Sequence, residues 1–226
     1  MKTFLFLFLI VTVSFSSTAF CTDIVPPKYR PVINIAKVND EIKVDGNLND
    51  PVWKTANWIT HFVETYPGDN TAPDVQTEAA LIYDENNLYI AFNCKDDPGA
   101  IRATMSQRDQ FNNDDAVAIS IDTYGNASWA YEFFVNPYGV QKDYLWSSIA
   151  GSDPGFDVIW ESAAQQTEAG YQVEIAIPFK SLRFPNNDIQ TWRINFGRIH
   201  PRESSKNYSW AANDRNEKCE PCQWGT

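Results

Sequence analysis

Four carboxylates on strand-like stretches, Glu132, Asp143, Asp157 and Glu174, are the side chains best suited by type to acid–base chemistry. Hydrolysis of a glycosidic bond needs two such groups facing each other across a cleft. The order of residues does not say whether any two of them meet, and charged side chains on the solvated face of a sheet are the simpler reading. His61 and His200 are the only histidines and stand in no nucleophile or metal motif; the chain also lacks G-x-S-x-G, H-E-x-x-H and a phosphate-cradling glycine loop. Nucleophilic catalysis and catalytic zinc are thereby disfavoured. The acidic pairs Asp96 with Asp97 and Asp114 with Asp115 offer the hard oxygens that a structural calcium ion takes, but not at EF-hand spacing. Turn and cap chemistry accounts for the same residues and is preferred.

Aromatic content is the strongest compositional signal, with 8 Trp, 10 Tyr and 14 Phe in 226 residues. Sugar rings present apolar C–H faces that stack on flat aromatic rings, while their hydroxyls pair with amides, carboxylates and arginine. Phe111, Tyr138, Trp146, Trp210 and Trp224 lie outside the strand-like runs or at their ends and could stack in this way. For each of them, packing into a core is an equally good account.

The elements that must position these residues are short strands. In 116–122 Val117, Ile119 and Ile121 alternate with small or polar residues; in 129–135 Trp129, Tyr131, Phe133 and Val135 do the same; 140–146 completes a meander. Tyr124–Gly125–Asn126 and Asn136–Pro137–Tyr138–Gly139 supply the turns. Further strands are predicted over 42–44, 77–83, 88–94, 158–164, 171–177 and from Trp192 onward, with Gly197 marking a bulge because the apolar alternation stops there. Short helical turns are predicted after Pro51 and over 179–184. Many short strands separated by turn clusters predict an all-β fold, an immunoglobulin-like or jelly-roll-type antiparallel β-sandwich with a few short helical turns.

Lys2, an apolar run over 4–13 and the small residues Ser17 and Ala19 read as a secretory signal peptide over 1–19. An extended lead-in with Pro26, Pro27 and Pro31 follows over 20–36, and one domain over 37–226. Export to the periplasm, the cell surface or the medium is therefore expected. The net charge of −11 argues against nucleic acid as a partner, because phosphate binding needs a basic surface. Cys219 and Cys222 frame two residues near the chain end and are expected as a local disulfide or as free thiols; Cys94, in the apolar phase of its strand, is expected as a buried thiol.

The successive blocks IKVDGNLNDPVW, ALIYDENNLYIAFNCKDDP, DDAVAISID, EFFVNPYG and YQVEIAIPF resemble those of the family 9 carbohydrate-binding module. RDQFNNDDAVAISIDTYGNASWAYEFFVNPYGVQKD, FKSLRFP and WRINFGR are similar to a bacterial subgroup in which such a module precedes a C-terminal outer-membrane-barrel domain of unknown function. The resemblance implies a β-sandwich that binds the end of a glycan. Asn136 matches the polar Asn of the V-N block, Phe111 or Asn112 stands where one stacking group is implied, and Trp210 or Trp224 where the other is. Phe134 replaces the Arg implied two residues before Asn136, and Ala118 replaces an acidic residue.

The resulting expectation is a secreted carbohydrate-binding module associated with polysaccharide catabolism, where O-glycosyl hydrolysis belongs to attached domains. Its partners would be a glycan or oligosaccharide and a C-terminal domain of the same protein that lies beyond Thr226. Two alternatives stay open: a periplasmic or surface interaction module that has lost sugar binding, and a small glycoside hydrolase in its own right.

Overall fold

The structure, a computed structural model, describes residues 26–226, so the expected signal peptide and Cys21 lie outside the described residues. Among the described residues, thirteen strands form two sheets. Sheet A contains β1 (Ala36–Lys37), β2 (Trp58–Ile59), β4 (Thr77–Tyr83), β5 (Asn87–Lys95), β10 (Glu161–Thr167) and β11 (Gly170–Pro178); sheet B contains β3 (Val63–Tyr66), β6 (Ala116–Asp122), β7 (Trp129–Val135), β8 (Gln141–Ser147), β9 (Gly151–Asp153), β12 (Arg193–Pro201) and β13 (Ser205–Ser209). Sheet A runs β1-β4-β5-β11-β10, with β2 also on β4, and sheet B runs β3-β13-β12-β6-β7-β8-β9. All pairings are antiparallel except that of β1 with β4. The expected sandwich is the architecture found.

Period-2 alternation decides which face each strand turns inward. Leu81, Ile90, Phe92, Val173, Ile175 and Ile177 of sheet A meet Val117, Ile119, Ile121, Phe133 and Phe196 of sheet B in one core. Phe92 and Phe196 touch edge to face across the layers, with ring centroids 5.9 Å apart. Cys94 is a buried free thiol.

The helical turns fall where expected: α1 covers Pro51–Thr55, with Pro near its start, and a 3-10 turn covers Phe179–Ser181. Three expectations about strands are corrected. The stretch 42–44 forms no strand; it lies with α1 over the outer face of sheet A, where Val52 and Trp53 pack on Ala80, Ile82 and Ala91. Gly46 has φ +83°, and a Cβ there would come within 2.7 Å of the Ala164 backbone, so this close approach requires glycine. The strand expected over 158–164 starts at Glu161. Gly197 is no bulge, because β12 stays in register with β6 and β13 through it. The alternation continues, but its inward positions become Arg198 and His200.

Candidate functional site

Outward residues of β6, β7, β12 and β13 line a cleft of about 230 Å³ on the outer face of sheet B. Its floor is made of small residues placed side by side: Ala118 pairs with Gly197 on one flank and with Phe134 on the other. A Cβ on Gly197 would contact Ala118 Cβ at 3.5 Å, so a larger residue at either position would fill the cleft. One step along the same strands Ser120 lies between Glu132 and Asn195, and Asn207 of β13 extends the polar surface.

The C-terminal tail builds the opposite wall. The Cys219–Cys222 disulfide and the 3-10 turn Pro221–Gln223 shape this segment, which brings Glu220, Gln223 and Trp224 into the cleft lining. Ile194 N–H donates to Gly225 O at 2.8 Å and Arg193 to Pro221 O at 3.3 Å, which pins the tail to the start of β12. The tail also meets the lead-in, since Ile33 N–H donates to Thr226 O at 2.8 Å and Thr226 N–H to Pro31 O at 2.9 Å.

Polar groups in the cleft are held before any ligand arrives. Asn195 Oδ1 accepts from Ser209 Oγ and Ala211 N–H, both at 3.1 Å. Glu132 accepts a hydrogen bond from Ser152 Oγ at 3.2 Å. Burial, then the charge of Glu220, raise the Glu132 carboxyl to about 7, against the lowering effect of that hydroxyl.

The expected sugar contacts are placed unequally. Trp224 lines the cleft although it is largely buried. Asn112 is exposed, with Oδ1 3.4 Å from Lys142 Nζ. Phe111 is buried among Ala116 and Val140 and backs Phe134. Trp210 sits in the core, 5.5 Å from the ring of Phe196. Asn136 is fully enclosed: its amide donates to Thr104 O and Asp114 Oδ2, and its Oδ1 accepts from the Tyr138 and Val140 N–H groups. The structure therefore brings only Trp224 of these five into the cleft lining. Phe134, read from the sequence as a lost polar contact, forms part of the wall. Glu220 and Gln223 went unnoticed because no strand periodicity marks them.

The four carboxylates suited to acid–base work do not converge. Glu132 points out of sheet B, whereas Asp143 on the neighbouring strand pairs with Phe133 and points in, where Arg108 holds it. Asp157 lies on the exposed side of the same Arg108, at 2.9 Å. Glu174 is on the far side of sheet A, accepting from Trp53 Nε1 at 2.8 Å, Gly46 N–H at 2.9 Å and Asp45 N–H at 3.0 Å.

The acidic pairs are likewise engaged by the protein. Asp97 accepts from Gly99 N–H, and Asp114 from Thr104 and Asn136. Asp96, Asp115 and His200 lie close enough to share an ion. However, Arg198 and Arg202 already place their guanidinium nitrogens 2.6 and 2.7 Å from Asp96 Oδ2, and Arg202 also reaches Asp115 at 2.8 Å. With two fixed cations and an imidazole in the group, these residues do not fit calcium.

Residues 44–225 match the family described as carbohydrate family 9 binding domain-like. Over 140 residues, 62% of this chain, the sequence is 32% identical to endo-1,4-beta-xylanase C of Paenibacillus barcinonensis, and that stretch spans 12% of the xylanase. A Bacteroides uniformis protein named for carbohydrate binding shares the fold at a TM-score of 0.68, with 14% identity over 86% of this chain and 97% of its own. A family 9 carbohydrate-binding module of Caldicellulosiruptor kristjanssonii, solved with cellotriose, superposes at 0.62, with 17% identity over 84% of this chain and 90% of its own. The family match covers most of the chain and the sandwich architecture agrees with it, so the chain belongs to the carbohydrate family 9 binding domain-like family.

Proposed function

We propose that the protein binds a glycan in the outer cleft of sheet B. The observation that carries this reading is the combination in one concave site of two aromatic side chains, Phe134 and Trp224, with the amides Asn195 and Asn207. The rings would take the apolar face of a sugar, and the amides its hydroxyls. Trp224 would touch the sugar, while Phe111, Asn136 and Trp210 would act behind the cleft: Phe111 supports Phe134, Asn136 holds the 104–114 loop, and Trp210 stabilises the core. Asn112 would act at most as an exposed accessory contact. Membership of the family, and the likeness to part of a xylanase, support a module that serves polysaccharide breakdown, with hydrolysis performed by an attached domain. The apolar run 4–13 followed by small residues supports export, and the resemblance to the barrel-bearing subgroup supports an outer-membrane partner domain. Tryptophan fluorescence during titration with cello- and xylo-oligosaccharides tests the binding claim. A saturable change is expected, and the absence of any response to every glycan tried would count against it.

A further inference from the structure

We infer that the cleft selects its glycan by charge, favouring one that carries protonated amino groups over neutral glycans and, most strongly, over uronic acids. This inference rests on the proposed glycan reading and narrows it. Glu132 and Glu220 line the same small cleft, and none of the ion pairs among the described residues includes either of them. Several carboxylates enclosed elsewhere in the fold are paired: Asp143 has Arg108, Asp96 has Arg198 and Arg202, and Glu64 has Lys206 at 3.0 Å.

The one basic residue in the cleft lining, Arg198, turns its guanidinium inward and keeps it fully enclosed beside Asp96. Two cations lie nearby on the same sheet, but both are engaged elsewhere. Lys142 Nζ sits 5.3 Å from the Phe111 ring and 5.4 Å from the Tyr144 ring, and Arg193 donates to Pro221 O. The cleft thus presents two carboxylates with no protein counter-charge.

Burial and the neighbouring Glu220 charge leave Glu132 only partly ionised near neutral pH, and a ligand ammonium placed between the two groups would stabilise the ionised form while forming charge-assisted hydrogen bonds. A uronate would bring further negative charge against both groups. The net charge of −11 gives the long-range field the same sign. Phe134 and Trp224 would hold the sugar ring and also attract a cation to their faces.

The experiment is calorimetric titration near neutral pH and low salt with four oligomers of equal length: glucosamine, N-acetylglucosamine, cello-oligosaccharide and galacturonic acid. The glucosamine oligomer is expected to bind roughly tenfold more tightly than the cello- and N-acetylated oligomers, the scale of one charge-assisted hydrogen bond, with the galacturonic oligomer weakest. Glu132→Gln should reduce that advantage to about threefold or less, read as the ratio of the glucosamine-oligomer and cello-oligosaccharide affinities measured on the same variant. Glu220→Gln, at the exposed rim, should act in the same direction and serves if the first variant fails to fold. Equal affinity for the cello- and glucosamine oligomers refutes charge selection and leaves the glycan reading standing. If no oligomer binds, both fail. Release of reducing ends from any oligomer would refute selection in favour of catalysis by the same two carboxylates.

Discussion

Trp53 donates its indole N–H to Glu174, 2.8 Å away, and this bond fastens the 45–53 segment onto the outer face of sheet A. Burial pushes the Glu174 carboxyl up, against the donors Trp53, Asp45 and Gly46 that hold it down. Three donors around one enclosed carboxylate make it an anchor. Glu174→Gln should therefore turn an amide N–H toward at least one donor and cost about 1–3 kcal/mol of stability, read as a lower urea midpoint. Glycan affinity should not change, since the cleft lies on the other sheet. A variant that kept full stability but lost binding would contradict this assignment.

Arg198 belongs to the buried network that replaces an apolar end to β12. Its guanidinium reaches Asp96 at 2.6 Å, Lys95 O at 3.0 Å and Gln76 O at 3.2 Å. Arg198→Met would leave the Asp96 carboxylate short of one of its two guanidiniums, and should destabilise the fold by roughly 3 kcal/mol in thermal or chemical melts. Double replacement with Asp96→Asn should recover part of that loss.

Burial pushes the Asp96 carboxyl up, but His200, Arg198 and Arg202 outweigh it and hold the group below its ordinary 3.8. Its contribution to stability is therefore complete above that value and disappears as pH falls through the depressed one. Acid titration should show unfolding that sets in below about pH 4. In Asp96→Asn the acid limb should be shallower and the neutral-pH stability lower.

Glu132 works in the opposite sense. Its folded-state value of about 7 lies above the ordinary 4.5, so the folded protein holds the proton more tightly than the unfolded chain. The stability tied to this group is present below 4.5 and is lost as pH rises through about 7. Melting temperatures of wild type and Glu132→Gln should diverge between these limits, with the variant gaining on the order of 3 °C relative to wild type by pH 8. Parallel curves would place Glu132 in a solvated position and remove its special status.

Much of the sandwich is legible in the sequence because apolar residues at every second position leave little choice of face, as with Ile119 and Phe133. At Gly197 the apolar alternation ends for a physical reason. Arg198 and His200 occupy inward positions that only Asp96, distant in sequence, makes tolerable, and local pattern carries no record of such a partner. The segment 42–44 reads as a strand because Ile42 and Val44 are apolar, but they cover a sheet from outside. Site residues are harder still. Ala118 and Phe134 look like lost polar contacts until pairing sets them side by side, where one gives depth and the other a wall. Glu220, Gln223 and Trp224 reach the cleft through a tail whose path depends on the disulfide and on contacts with β12.

The disulfide itself gives a further expectation. It closes a short loop, so Cys219→Ser with Cys222→Ser should cost at most about 2 kcal/mol of global stability. Because that loop carries Glu220 and precedes Trp224, glycan affinity should fall more than stability does. Comparison of melting and titration data on the double variant separates the two effects.

Glycan binding in the outer cleft of sheet B is tested most directly by calorimetric titration of one oligosaccharide into three proteins. Wild type should give a saturable isotherm with one site per chain, while Trp224→Ala and Phe134→Ala, each confirmed as folded by circular dichroism, should bind at least roughly tenfold more weakly. Binding by both variants with wild-type affinity would place the glycan elsewhere and contradict the account.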